Sequence, residues 1–302
     1  MTSISLIDVL TIVFVLVDDW YQSQGQYLVP GKPGVKPTFR DSEVITLMLM
    51  QDFIPYPSET QYIAFIRANY LDLFPHLLTQ SQFNRRSRGL GWLVEKMRLD
   101  WIRQKGWHEQ SNFLLDTKPV PVVGYKRNKQ QSDFLGSADF GVCASKNLKY
   151  FGYKLVTIST FNGLPLFYDL VSANTDEREA AETVIDHFVL CDLFGDKGFI
   201  GLDWQMKIFD QTGNLIWTPQ RANQKTQNSP ALNRFLSTHR ERIEGVFHEL
   251  QDVGRNLERL LAKTIVGLAA RIVAKVTSHL LRRLLWVDFA VNVQTFEVAS
   301  AS

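Results

Sequence analysis

The sequence predicts an α/β fold: a mixed sheet flanked by helices, preceded by an all-α N-terminal region. Three observations carry this. Residues 1 to about 110 place apolar residues at helical spacing in short capped segments. From about residue 112 the texture turns β-rich, in "FLLDTKPVPVVGY" and in "KYFGYKLVTISTFNGLPLFYDLVSA" (149–173), where "FNGLP" marks a hairpin turn. Beyond it, segments with strand and helix patterns alternate, the arrangement of a mixed sheet.

In the N-terminal region, the apolar run "ISLIDVLTIVFVLV" (4–17) predicts a buried helix. It has no basic n-region or small-residue cleavage site, Asp8 interrupts it, and "DDW" ends it short of the roughly 20 residues of a spanning helix. The expectation is a soluble, cytoplasmic protein with no membrane partner. "DSEVITLMLMQDF" (41–53) predicts a helix capped by Asp41 or Ser42, with Glu43 early in it. "IPYPSET" breaks the pattern, and the next helix opens at about Ser58 with Glu59 in its first turn. "SQFNRRSRGLGWLVEKMRLDWIRQ" carries Arg85, Arg86, Arg88, Lys96, Arg98 and Arg103 against Glu95 and Asp100. Short helices ending in an Arg-rich one fit a helix-turn-helix type DNA-binding region, and equally a bundle with a solvated basic face.

In the α/β part, "TDEREAAETVIDHFV" (175–189) predicts a helix capped by Thr175 or Asp176. "LCDLFGD" reads as a strand, "IGLDWQMKIFDQTG" as a helix and "NLIWTP" as a strand. The polar loop "QRANQKTQNSP" leads to a long helix from about 231 to 250. A final helix, 262–287, carries Lys263, Arg271, Lys275, Arg282 and Arg283, so its polar side faces either DNA or water.

Formal net charge is +2, so any affinity for nucleic acid comes from local clusters of Lys and Arg. Cys143 and Cys191 lack zinc-site spacing and point to a reducing compartment. No P-loop, dinucleotide fingerprint or GxSxG is present.

The chemistry concentrates in acids. Asp116 directly follows the apolar run in "FLLDTKPVPVV" and Asp196 ends "LFGD", so both are expected to project from strand ends, where α/β folds place ligands. Two carboxylates on adjacent strands repel one another unless a cation lies between them. In "HRERIEGVFHEL" the helical wheel groups Leu236, Ile243, Phe247 and Leu250, with Arg240 and Glu244 along the edge. Glu244 is the expected third acid, and Arg240 one turn earlier orients it or holds a phosphate. Asp, Asp and Glu around two Mg²⁺ ions, with Mn²⁺ as substitute, is what in-line phosphoryl transfer requires, with metals roughly 3.5 to 4 Å apart. Lys118 and Lys197, close after the two aspartates, either bind phosphate or face water. "GYKRNKQ" (Lys126, Arg127, Lys129) and "SKNLKYFGYK" (Lys146, Lys149, Lys154) form a basic stretch with interleaved aromatics, as a DNA-tracking loop would. Asp139 reads as a loop acid, Asp176 as a cap and His248 as a structural histidine. Gly195 and Gly198 beside Asp196 would let metal and DNA backbone come close.

"LLDTKPVPV", "GYKLVTISTFNGLPLFYDLVSANTDE", "GDKGFIG" and "RERIEGVFHELQD" resemble the catalytic domain of DDE transposases of bacterial insertion sequences, most closely the 982-type family within the IS4-like group. The resemblance runs from about residue 40 to 290, with "FPHLLTQSQFNRRSR" resembling that family's N-terminal region. It implies a ribonuclease-H-like fold, with a DNA-binding helical region at 1–110, a catalytic domain with its basic C-terminal helix at 111–290, and a tail at 291–302. It carries the catalytic, metal-binding positions onto Asp116, Asp196 and Glu244. It implies Mg²⁺-dependent cleavage of terminal inverted repeats, joining to target DNA, a homodimer or higher assembly on double-stranded DNA, and a nucleoid-associated protein. Arg85, Arg86, Arg88, Lys118, Lys126, Arg127, Lys197 and Arg240 are the expected DNA-binding residues. The family's Tyr three before the Arg and Lys seven after the Glu are here Ser237 and Gln251, so the resemblance carries the nicking core but not release through a hairpin. A ribonuclease-H-like nuclease without strand transfer and a non-catalytic, transposase-derived DNA-binding protein are the alternatives.

Overall fold

The computed structural model describes residues 4–30, 34, 37–54, 56, 58–127, 129–143, 148–220, 227–238, 250, 256–293 and 296–297. In chain order the helical region holds β1 (Ile4–Ser5), α1 (Leu6–Trp20), α2 (Gln26–Leu28), α3 (Asp41–Met50), α4 (Glu59–Asn69) and α5 (Gln80–Gln104). There follow β2 (Asn112–Val123), β3 (Asp139–Cys143), β4 (Leu148–Thr160), β5 (Pro165–Ser172), α6 (Glu177–Ile185), β6 (Asp192–Gly195), α7 (Leu202–Thr212) and β7 (Leu215–Trp217). A helix α8 covers 230–238, and α9 (Ile265–Phe289) and β8 (Phe296–Glu297) complete the described chain.

Contacts divide the chain into two units, Met1–Trp101 with Leu250–Ser302, and Ile102–Glu249. The resemblance places the basic C-terminal helix within 111–290; by contacts, α9 groups with the N-terminal helices. The reason is its buried face. Leu268, Ile272, Val273, Val276, Leu280 and Leu284 are all buried, the Ser278 hydroxyl donates to the Leu49 carbonyl at 2.8 Å, and Lys275 Nζ lies 3.6 Å from Asp52 Oδ1. In the same unit Trp20 Nε1 donates to Asp100 and Lys96 pairs with Asp100 at 2.6 Å. The N-cap of α3 is Arg40 rather than Asp41 or Ser42: the Glu43 carboxylate reaches back to accept from the Arg40 backbone N–H at 2.6 Å, which closes the first turn.

The second unit is built on a six-stranded mixed sheet. β4 pairs antiparallel with β2 on one side and, at successive stretches, with β3 and β5 on the other. β6 runs parallel to β2, and β7 parallel to β6. The path is therefore β3-β4-β2-β6-β7 with β5 beside β4. Helices α6 and α7 are the crossovers that parallel pairing requires. A mixed sheet of this order, flanked by helices behind an N-terminal helical region, is consistent with the ribonuclease-H-like fold. Asp139, a loop acid by its sequence, instead opens the short strand β3. Gly152 is needed where β4 crosses the β2 bulge, since a Cβ there would lie 2.2 Å from the Val120 carbonyl oxygen.

Candidate active site

β2 is the central strand, and its first residues are apolar on both faces because both are covered. Phe113, Leu114 and Leu115 are buried, with the Phe113 ring 4.7 Å from that of Phe188. β6 pairs with β2 only from Asn112 to Leu115, and the last pair is Leu115 with Gly195. Asp116 and Asp196 each stand one residue past that pair, where the two strands part. The sequence pattern ends a strand at Asp116, whereas β2 continues to Val123. What ends at this point is β6, and the neighbouring strand's departure opens the site. Pro119 and Pro121, which cannot donate to a ladder, lie along the stretch that β6 no longer covers.

Asp196 caps the short 3₁₀ turn Lys197–Phe199, its Oδ1 accepting from the Gly198 N–H at 2.7 Å. Phe199 is fully buried and anchors that turn. Asp116 Oδ1 accepts from the Thr117 N–H at 2.7 Å. The glycines of "GDKG" are closely approached by side chains. A Cβ on Gly195 would meet the Phe199 ring at 2.6 Å, and one on Gly198 would fall 1.5 Å from Glu177 Oε2 and 3.0 Å from Asp196 Oδ1. The space is taken by a ring and a third carboxylate.

Glu177 is not singled out by the sequence. It is the first residue of α6, whose N-cap is Asp176, accepting from the Arg178 N–H at 3.0 Å. Its Oε1 accepts from the Thr117 hydroxyl at 3.3 Å. The signal that could have found it is its place: an acid at the start of the crossover helix that leads into the Asp196 strand.

The electrostatics reflect this gathering. Burial, then the negative charge of Asp196, push the Asp116 carboxyl up to about 8, with Glu177 adding to the rise and the Thr117 N–H and Lys118 opposing it. Glu177 is raised too, first by burial and then by Asp196, while Lys154 opposes. Negative charge exceeds positive charge at this point of the sheet. Hard oxygen donors with surplus negative charge suit Mg²⁺ or Mn²⁺ rather than a soft or nitrogen-preferring metal. Among the described residues no group of three or more His, Cys, Asp or Glu side chains closes on one ion position. The expected third ligand Glu244, its neighbour Arg240 and His248 lie outside the described residues.

The basic residues divide. Lys118 is two positions from Asp116 on the same strand, and Lys197 is exposed beside Asp196. Lys126 and Arg127 are exposed in the turn after β2, and Arg85 is exposed on α5. Arg86 pairs with Asp41 and donates to the Phe39 carbonyl, and Arg88 is partly buried. Lys129 packs over the rings of Tyr125, Phe140 and Phe151 at 5.3–5.8 Å, with its ammonium donating to the Gly124 and Tyr125 carbonyls. It therefore ties the loop to the aromatic cluster. Lys146 lies outside the described residues.

Among the described residues no helix is long and apolar enough to cross a membrane. A family model described as a transposase DDE domain matches residues 107–281. No curated protein and no solved structure matches the chain.

Proposed function

Since the chain belongs to the transposase DDE-domain family, we propose that it cuts DNA at the terminal inverted repeats of an insertion sequence of the 982-type, IS4-like kind and joins the 3′ ends to target DNA. Membership itself brings transposase function, DNA binding and a divalent-metal requirement. The observation that carries the finer reading is the pair Asp116 and Asp196, each one residue past the last β2–β6 pair.

In this reading Asp116, Asp196 and Glu244 hold two Mg²⁺ ions. Bound there, such ions would supply activation of the attacking water or 3′-hydroxyl and stabilisation of the leaving oxygen. The chain's own residues orient and neutralise. The Thr117 and Gly198 N–H groups fix one oxygen of each aspartate, leaving the other for a ligand. Lys118, Lys197 and Arg240 take phosphate oxygens, and the exposed Lys126, Arg127 and Arg85 follow the DNA backbone, with Arg86, held by Asp41, and the partly buried Arg88 supporting that face. The helical region 1–110 grips the ends, and two chains pair them.

Purified protein with Mg²⁺ and DNA carrying the element's ends is expected to give nicked and then joined products. Cleavage without joining would favour a nuclease, and binding without cleavage a DNA-binding protein. Cleavage unchanged in Asp196→Asn would overturn the assigned site.

A further inference from the structure

We propose that Glu177 is an additional acid of this site, presenting its carboxylate to the cations held by Asp116 and Asp196; this rests on the reading of those two residues as cation ligands. An acid at the first position of a helix ordinarily gains from the helix dipole while facing water, as the exposed Glu179 of the same helix does. Glu177 instead turns inward. Its carboxylate accepts from Thr117, the residue next to Asp116, and lies over the turn capped by Asp196, where a Cβ on Gly198 would fall 1.5 Å from Glu177 Oε2 and displace it. The strand β2, through Thr117, and the turn between β6 and α7, at Gly198, thus converge on one side chain.

Among the described residues no cationic side chain lies within ion-pair distance of Glu177, Asp116 or Asp196. Lys118 and Lys154 act on Asp116 and Glu177 only from beyond that distance, and the Lys154 ammonium donates to the Thr175 carbonyl at 2.5 Å. A purely structural role would place a half-buried carboxylate where donors outnumber acids. Here a third acid is added to two, in a protein whose family requires a divalent cation. The arrangement becomes favourable once a cation is present. No three of these groups close on a single ion position in the described residues; with a divalent cation held by Asp116 and Asp196, Glu177 would act beside the direct ligands, adding negative charge that favours the cation.

The test is Mn²⁺ binding to the full chain, followed by the electron paramagnetic resonance of free Mn²⁺, for wild type, Asp196→Asn, Glu177→Gln and Glu177→Asp. Glu177→Gln keeps an oxygen for Thr117 and nearly the same shape. It is expected to weaken Mn²⁺ binding by on the order of tenfold, to melt no lower than wild type in EDTA, and to be partly rescued by Glu177→Asp. Glu177→Gln binding Mn²⁺ as wild type does, while Asp196→Asn loses it, would overturn the role of Glu177 and leave the site standing. Wild-type binding by Asp196→Asn as well would overturn both.

Discussion

The molecule buries charge in two places and treats it in opposite ways. In the helical unit, Lys275 of α9 faces Asp52 at 3.6 Å with both side chains 2% exposed, and Arg282 donates to the Asp52 carbonyl. Arg98, fully buried, pairs with Glu95 at 2.6 Å. In the sheet unit, Asp116, Asp196 and Glu177 gather with backbone N–H and hydroxyl donors but no ion pair among the described residues. Compensated buried charge fixes how helices dock. Uncompensated charge is costly in the protein alone and marks the place where something from solution completes it.

The largest effect belongs to the uncompensated set. Asp116→Asn and Asp196→Asn are each expected to lower Mg²⁺-dependent DNA cleavage by on the order of 10³-fold, read as the initial rate of nicking on end-containing DNA. If the comparison holds, neither substitution lowers the melting temperature in EDTA, because each removes a repelling charge.

The compensated set should respond the other way. Lys275→Met leaves Asp52 buried opposite an apolar side chain and is expected to cost about 3 kcal/mol, measured by urea unfolding. Adding Asp52→Leu should recover most of that loss. Full stability in the single substitution would break the comparison from the helical side.

A pH series sharpens it. Burial and the Asp196 charge push the Asp116 carboxyl up to about 8 in the folded protein from its ordinary 3.8, so the folded state binds more protons than the unfolded state between these values. Stability therefore falls as pH rises from about 4 to about 8, and Asp116→Asn removes that part of the slope. The melting temperature across this range, in EDTA, reads it directly. The smallest effect is local: Asp176→Ala removes the N-cap of α6, the helix that presents Glu177, and is expected to cost about 1 kcal/mol by urea unfolding.

Much of the sheet is legible in the sequence because its signals are local. The apolar triplet before Asp116, the "FNGLP" hairpin turn and the capped start of "TDEREA" depend on neighbours in the chain, and β2, the β4–β5 hairpin and α6 follow them. Asp116 and Asp196 are readable for the same reason: a charge at the end of an apolar run needs an explanation wherever the run is placed. Glu177 is not readable this way. In the sequence it is one of several acids in an ordinary first helical turn, and only the crossover from β5 through α6 to β6 brings it beside Gly198. The continuation of β2 past Asp116 depends on pairing with β4, thirty to forty residues away in sequence, and its prolines argue against it locally. Lys129 looks like a DNA contact until Phe140 and Phe151 arrive beneath it from other strands. The docking of α9 with the N-terminal helices rests on Ser278–Leu49 and Lys275–Asp52, pairings more than two hundred residues apart.

In the proposed reading, the acids at the β2–β6 parting are incomplete without a divalent cation. The most direct measurement is the melting temperature of wild type and Asp116→Asn at pH 7.5 to 8, in EDTA and in saturating Mg²⁺. Asp116→Asn is expected to be the more stable protein in EDTA, and Mg²⁺ to stabilise wild type while leaving Asp116→Asn unchanged. Wild type unaffected by Mg²⁺, with Asp116→Asn less stable in EDTA, would contradict it.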